Sequence, residues 1–262
     1  MELEPIATDR PDQTESPYLV PVGYFQIETG FQLEADKRDG QSEKNLTYHS
    51  SLLKYGISKN LELRFITEYL GYQRENETDR VTASMNGFSP VSVGGKLFIC
   101  EQKGFLPKTS LIAHIDLPYL GRQEFRPSFI APRFRFTMQH SLSSRVNLSY
   151  NLGGEWDGES PNATGIYTLT TGISLIKNLG VYLELYGFLR ERSAPDHRFN
   201  GGFTYLLNNN LQLDTSVGVG INEASPDSFV STGFSWRFDT RTHARQRRPA
   251  KWQIPSANRP AF

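Results

Sequence analysis

Cysteine is almost missing from this chain: Cys100 is the only one in 262 residues. That excludes an intrachain disulfide and a thiolate metal cluster, and at the end of a predicted strand Cys100 reads as a small apolar filler. Long apolar runs are missing too. No stretch approaches the ~18 residues of a membrane helix. With 37% hydrophobic residues, 21% charged residues and a mean hydropathy of −0.47, a helical membrane protein is excluded. A transmembrane β-barrel is not, because half of each of its strands faces a polar lumen. The opening Met1-Glu-Leu-Glu-Pro5 lacks the basic start and apolar core of a secretory signal. On that reading an exported form begins here as a mature or shortened chain. Walker and dinucleotide fingerprints are absent, and the five histidines lack paired metal-ligand spacing. Neither metal nor cofactor is expected.

What the chain has is alternation. Leu211, Leu213, Thr215, Val217, Val219 and Ile221 oppose Gln212, Asp214, Ser216, Gly218, Gly220 and Asn222. This period of two marks a strand with one apolar and one polar face, long enough at about 10 residues to cross a bilayer when tilted. Its partner sets Val230, Thr232, Phe234, Trp236 and Phe238 against Ser231, Gly233, Ser235 and Arg237. Ser231, Gly233, Trp236 and Phe238 follow the closing-strand pattern of outer-membrane barrels: a polar residue, a glycine, then two aromatics one apart.

The N-terminal residues 8–17 are polar and punctuated by proline, which argues against helix or central strand. They lead through Val20, Pro21 and Gly23 to a first strand with Phe25, Ile27, Thr29, Phe31 and Leu33 on one face. Thr8-Asp-Arg-Pro-Asp-Gln-Thr-Glu-Ser-Pro17, Val20-Pro21, Gly23 and Gln26-Ile-Glu-Thr-Gly30 resemble the start of the family named for the MetA pathway of phenol degradation. The resemblance implies an outer-membrane transporter of β-barrel fold and says little about its substrate.

Further strands follow near residues 44–55, 61–72, 91–100, 108–117, 127–140, 145–153, 166–176, 180–190 and 198–207. The second is irregular, with Leu46, Tyr48 and Leu52 against Thr47, His49 and Ser51, and Leu53 out of phase. Residues 73–89 read as a long polar loop. Pro132 suggests a bulge or a strand end above the membrane. Connections alternate between short turns and longer polar loops, as in bacterial barrels. The expected fold is all-β: a single up-and-down antiparallel transmembrane β-barrel of about 12 strands. Residues 1–22 form an N-terminal strap or luminal plug, 23–238 the barrel, and 239–262 a basic tail too polar and proline-rich to fold alone. That tail is read as solvated or touching lipid headgroups, and no nucleic-acid partner is expected.

Charges on the polar face must point inward, because Arg or Lys facing lipid costs about 2–4 kcal/mol at the midplane. The lumen and selectivity candidates are Glu62, Arg64, Glu68, Lys96, His114, Asp116, Arg133, Arg135, Glu184, Arg190, Arg198 and Asp214. Glu28, Glu34 and Arg237 share that face. They serve either as an ion-pair lattice or as the wall of a solute path. Asp9, Arg10, Asp12 and Glu15 are plug candidates, expected to pair with Arg133, Arg135 or Arg198. Left unpaired, Arg133 and Arg135 would make a site for anions. Calcium at Asp9, Asp12 and Glu15 lacks enough oxygen ligands. His49 and Ser51 share a face, as a nucleophile and base could, but no third group orients them and no catalytic site is expected. The function expected from this pattern and from the resemblance together is a narrow channel or transporter for small solutes, aromatic or anionic ones among them. A structural or adhesin-like barrel and a soluble β-sandwich are the alternatives. The implied location is the bacterial outer membrane. The implied partners are its lipid and the barrel-assembly machinery, which would act on the last strand.

Overall fold

The computed structural model describes residues 3–78 and 80–241. Thirteen antiparallel strands form one sheet whose first and last members pair. In chain order they are β1 (Tyr24–Arg38), β2 (Gln41–Gly56), β3 (Leu61–Glu75), β4 (Val81–Phe88), β5 (Val91–Cys100), β6 (Lys108–Leu117) and β7 (Ala131–Ser141). Then come β8 (Val146–Glu155), β9 (Thr164–Ile176), β10 (Leu179–Leu189), β11 (Asp196–Asn208), β12 (Leu211–Gly220) and β13 (Ser228–Asp239). Two of the strands share one stave. The lower half of β3 pairs with β5, from Leu61↔Leu97 to Ile66↔Ser92, and its upper half with β4, from Tyr69↔Phe88 to Glu75↔Val81. Ser89 and Pro90 break the stave between them. The result is a closed barrel of 12 staves.

The barrel shuts along β1 and β13, in unbroken register from Tyr24↔Asp239 to Ala35↔Ser228. Ser231, Gly233, Trp236 and Phe238 therefore lie on the seam. Trp236 and Phe238 stack at 4.8 Å, and Phe238 meets Phe25 of the first strand at 5.4 Å. Outside, Leu183, Leu213, Val217, Val230 and Phe234 are exposed, while Gln26, Glu28, Lys96, Asn151 and Glu184 are buried within. The polar side is inside, as lipid solvation requires.

Three expectations need correction. Residues 73–89 are not a loop, since β3 continues to Glu75 and β4 occupies Val81–Phe88. β4 is solvated on both faces, so it has no apolar alternation to read. The strand expected from residue 127 begins at Ala131, with Pro132 opposite Ile115 at its upper end. The irregular second strand has a bulge. Gly30 faces Ser50 and Gln32 faces Thr47, so Tyr48 and His49 together oppose Phe31. The extra residue reverses the phase. Below it Ser50, Leu52 and Lys54 share the face of Gly30, Glu28 and Gln26, and Leu53 joins Ile27 outside. Leu52, expected outside, points in.

Candidate functional site: an occupied lumen

Residues 6–20 lie inside the barrel as a loop that enters and leaves at the end with the short turns. The Ile6 amide bonds to the Asn209 carbonyl, and Val22 bridges Gly56. Asp9 is the hub of the lower lumen. Its carboxylate meets Lys54 at 3.0 Å, Arg64 at 2.8 Å and Lys96 at 3.1 Å, all of them buried. Glu28 accepts the amides of Asp9 and Arg10 at 2.8 and 3.0 Å and pairs with Lys54. Glu62 pairs with Arg64 at 3.1 Å and accepts the Val20 amide at 2.7 Å. His114 accepts from Arg64 at 3.2 Å. Asp9 also accepts the Ser16 amide at 2.9 Å, closing the loop at its base. Buried charges this densely matched depend on one another, and removing one leaves its partners under-compensated.

Arg10 crosses to the seam. It pairs with Asp214 at 2.9 Å and donates to Ser231 at 3.1 Å. Gly30 and Gly233 face each other there, and a β-carbon on either would strike the guanidinium.

The tip, residues 11–15, crosses the lumen to the wall made by β7, β8, β9 and β10. Glu184 accepts the Gln13 and Thr14 amides at 3.0 and 2.7 Å and the Thr14 hydroxyl at 2.7 Å. Thr14 also bonds to Thr168 at 2.7 Å. Asn151 accepts the Glu15 amide at 2.7 Å and donates to its carbonyl at 2.9 Å. Arg135 donates to the Gln13 carbonyl at 3.0 Å. Four adjacent staves thus supply a layer that the tip seals, β9 through both Thr168 and Thr170.

Above and below that layer the same staves line two cavities. The upper one, about 510 Å³, holds Asp116, Arg133, Glu155, Asp157, Arg190 and Glu191. The lower one, about 210 Å³, lies between the loop and Gln139, Ser149, Thr170, Tyr182, Thr204 and Gln212. The upper cavity is acidic by residue count. Asp157 accepts the amides of Ser160 and Glu159 at 2.9 and 2.8 Å, which lowers its pKa below the usual carboxylate value. The lower cavity is lined chiefly by hydroxyl and amide groups, with Arg10 and Asp12 contributed by the loop.

A family model matches residues 8–238. The chain belongs to the family described as "Putative MetA-pathway of phenol degradation". Among solved structures it is similar to an outer membrane channel from Pseudomonas putida F1, with TM-score 0.62 and 11% identity over 84% of this chain and 97% of that one. It is also similar to the translocator domain of the autotransporter NalP from Neisseria meningitidis (TM-score 0.53, 10% identity, 84% and 90% covered). The NanC porin matches with TM-score 0.51 and 7% identity over 81% and 98%. At these identities the likeness is one of fold. None of the curated proteins matches the chain.

For this member of the family, the sequence places most luminal charges on the correct face but pairs few of them correctly. Of the expected pairings between loop acids and arginines, only Glu15 with Arg135 occurs, at 3.8 Å, and Glu15 lies closer to Arg64 at 3.0 Å. Asp12 lines the lower cavity instead. Arg133 pairs with Asp116 at 3.5 Å and donates to Ser92, so it is no free anion site. Arg198 pairs with Glu34 at 2.6 Å and Asp196 at 2.7 Å. Arg190 lies just past the end of β10, on the rim of the upper cavity rather than deep in the lumen. Glu68 accepts from Ser50 at 3.0 Å. Asp9 and Glu15 are occupied by cationic side chains, which removes two of the three acids considered for calcium.

Sequence reasoning missed Lys54 because the bulge hid its phase; counting back from Tyr55 and Leu53 would have found it. Gln13 and Thr14 carry no charge or periodic signal; alternation turns Asn151 and Thr168 inward, but nothing singles them out among the neutral luminal residues. His49 and Ser51 do meet, at 2.8 Å, with Thr29 at 3.3 Å from the other ring nitrogen. They lie outside, at the bulge, where they satisfy one another's polar groups against the apolar surface. The basic tail beyond Arg241 lies outside the described residues.

Proposed function

We propose that this chain is a channel of the bacterial outer membrane that passes small uncharged or cationic solutes along the β7–β10 side of its lumen. The observation that carries this reading is the stacking of two cavities on the same four staves, parted by a single layer of side chains and the loop tip. The end with the short turns and both barrel termini is periplasmic, by the loop asymmetry of bacterial barrels. The upper cavity is then the outer vestibule. Its four acids against two arginines favour cations over anions, and the hydroxyl- and amide-rich lower chamber suits solutes that form hydrogen bonds.

The outward apolar band contacts outer-membrane lipid, and the aromatic seam strand β13 engages the barrel-assembly machinery. Residues 3–22 set how much of the lumen is open. Ion conductance in planar bilayers tests the reading. Small, cation-preferring steps are expected from the purified chain. Silence both from this chain and from one lacking residues 11–15 would refute it.

A further inference from the structure

The loop in the lumen is held by two unlike sets of contacts. Its base is ionic and buried. Asp9 sits among Lys54, Arg64 and Lys96, Arg10 is anchored to Asp214, and Glu28 takes two successive amides. The returning limb is equally fixed. Lys96 bonds to the Ser16 carbonyl at 2.8 Å, Ser110 to the Pro17 carbonyl at 2.7 Å and Glu62 to the Val20 amide at 2.7 Å. The link from Asp9 to Ser16 at 2.9 Å ties the two limbs together below the tip.

Withdrawing the whole segment would leave Lys96 and Asp214 without their ion-pair partners and would take Asp9 and Glu15 from Lys54 and Arg64, a heavy cost for buried charges. The tip is held differently. Its ionic contacts are those of Glu15, with Arg64 at 3.0 Å and Arg135 at 3.8 Å; residues 11–14 meet the wall through hydrogen bonds of amides, hydroxyls and carbonyls. Glu184 is their centre. It also accepts from Thr170 at 3.1 Å and Asn200 at 2.6 Å, both on the wall, so its carboxylate keeps two donors when the tip leaves. With residues 11–14 undocked, Glu184 keeps those two donors and Arg135 keeps Glu15 at 3.8 Å, so neither charge on the wall loses every partner. Local opening of this kind draws on the least stable contacts of a fold.

We infer that the gate is residues 11–14 of the tip alone, swinging on a base that stays fixed at Asp9, Glu15 and Ser16, with Glu184 as the latch. Undocking joins the vestibule to the lower chamber without removing the segment. This rests on the channel reading above and adds where the channel opens.

The test is a cysteine pair at Thr14→Cys and Thr168→Cys, whose hydroxyls lie 2.7 Å apart, in a chain also carrying Cys100→Ser. Oxidation should lock the tip and suppress conductance, and reduction should restore it. Glu184→Gln keeps the shape and removes the charge of the latch. It should raise the ratio of open to closed time about tenfold, the difference between charged and neutral hydrogen bonding. Conductance that ignores the crosslink, with Glu184→Gln behaving as the unmodified chain, overturns the tip as gate and leaves the channel standing. Failure of the pair to crosslink in folded barrels also overturns it. If no form conducts, including one with residues 11–14 replaced by two glycines, the channel reading falls and the gate with it.

Discussion

The guanidinium of Arg10 occupies the space that a β-carbon on Gly30 would need. Gly233, opposite Gly30 across the seam, leaves the matching half of the notch. A bulky side chain at Gly30 displaces the Arg10 guanidinium and so breaks its pair with the buried Asp214. Gly30→Val should therefore destabilise the barrel by about 3–5 kcal/mol, read as a shift in the urea midpoint of heat-modifiable gel mobility. Adding Arg10→Ala should cost little more, because both changes break one pair. Additive losses would show that Gly30 matters for another reason.

Asp9→Asn removes the charge that three buried cations share. A loss of about 3–5 kcal/mol is expected on the same assay. A loss below about 1 kcal/mol, the scale of exposed pairs, would mean that the hub is solvated.

The bulge at Tyr48 and His49 makes a paired prediction on adjacent leucines. Leu53→Arg places a charge in lipid and should cost about 2–4 kcal/mol near the midplane. Leu52→Arg points inward beside Glu28 and should fold. If Leu52→Arg failed and Leu53→Arg assembled, the phase of β2 below the bulge would be reversed.

The vestibule predicts selectivity and its direction. The reversal potential under a salt gradient should favour cations, less so at high ionic strength as screening shortens to a few ångströms. Asp157→Asn with Glu191→Gln should move it toward zero, and Arg133→Ala should strengthen it. An anion preference that Arg133→Ala abolishes would restore the simpler expectation of a positive ring.

Much of this architecture was legible because lipid imposes period-two alternation on every stave it touches. Phe234 and Trp236 against Ser235 and Arg237 could hardly be read otherwise. Legibility fails where that solvent does not act. β4 stands in water on both faces, and the bulge adds one residue that no alternation announces. The luminal pairing was less legible still. Asp9 chooses Lys54 and Lys96 over Arg133 because of the loop's path, which is a property of three-dimensional closure. The tip contacts of Thr14 and Asn151 are hydrogen bonds between common neutral groups and leave no trace in composition.

The seat of Arg10 also fixes an order of events. Arg10 is among the first residues of the chain, yet its partners Asp214 and Ser231 lie 204 and 221 positions later. Glu184, which receives the tip, comes 170 positions after Thr14. Contacts so distant along the chain form late. The segment thus has its full set of partners only once β10, β12 and β13 are in place. A barrel without its closing strands lacks part of the seat for this segment, so a filled lumen doubles as a record that the seam is closed.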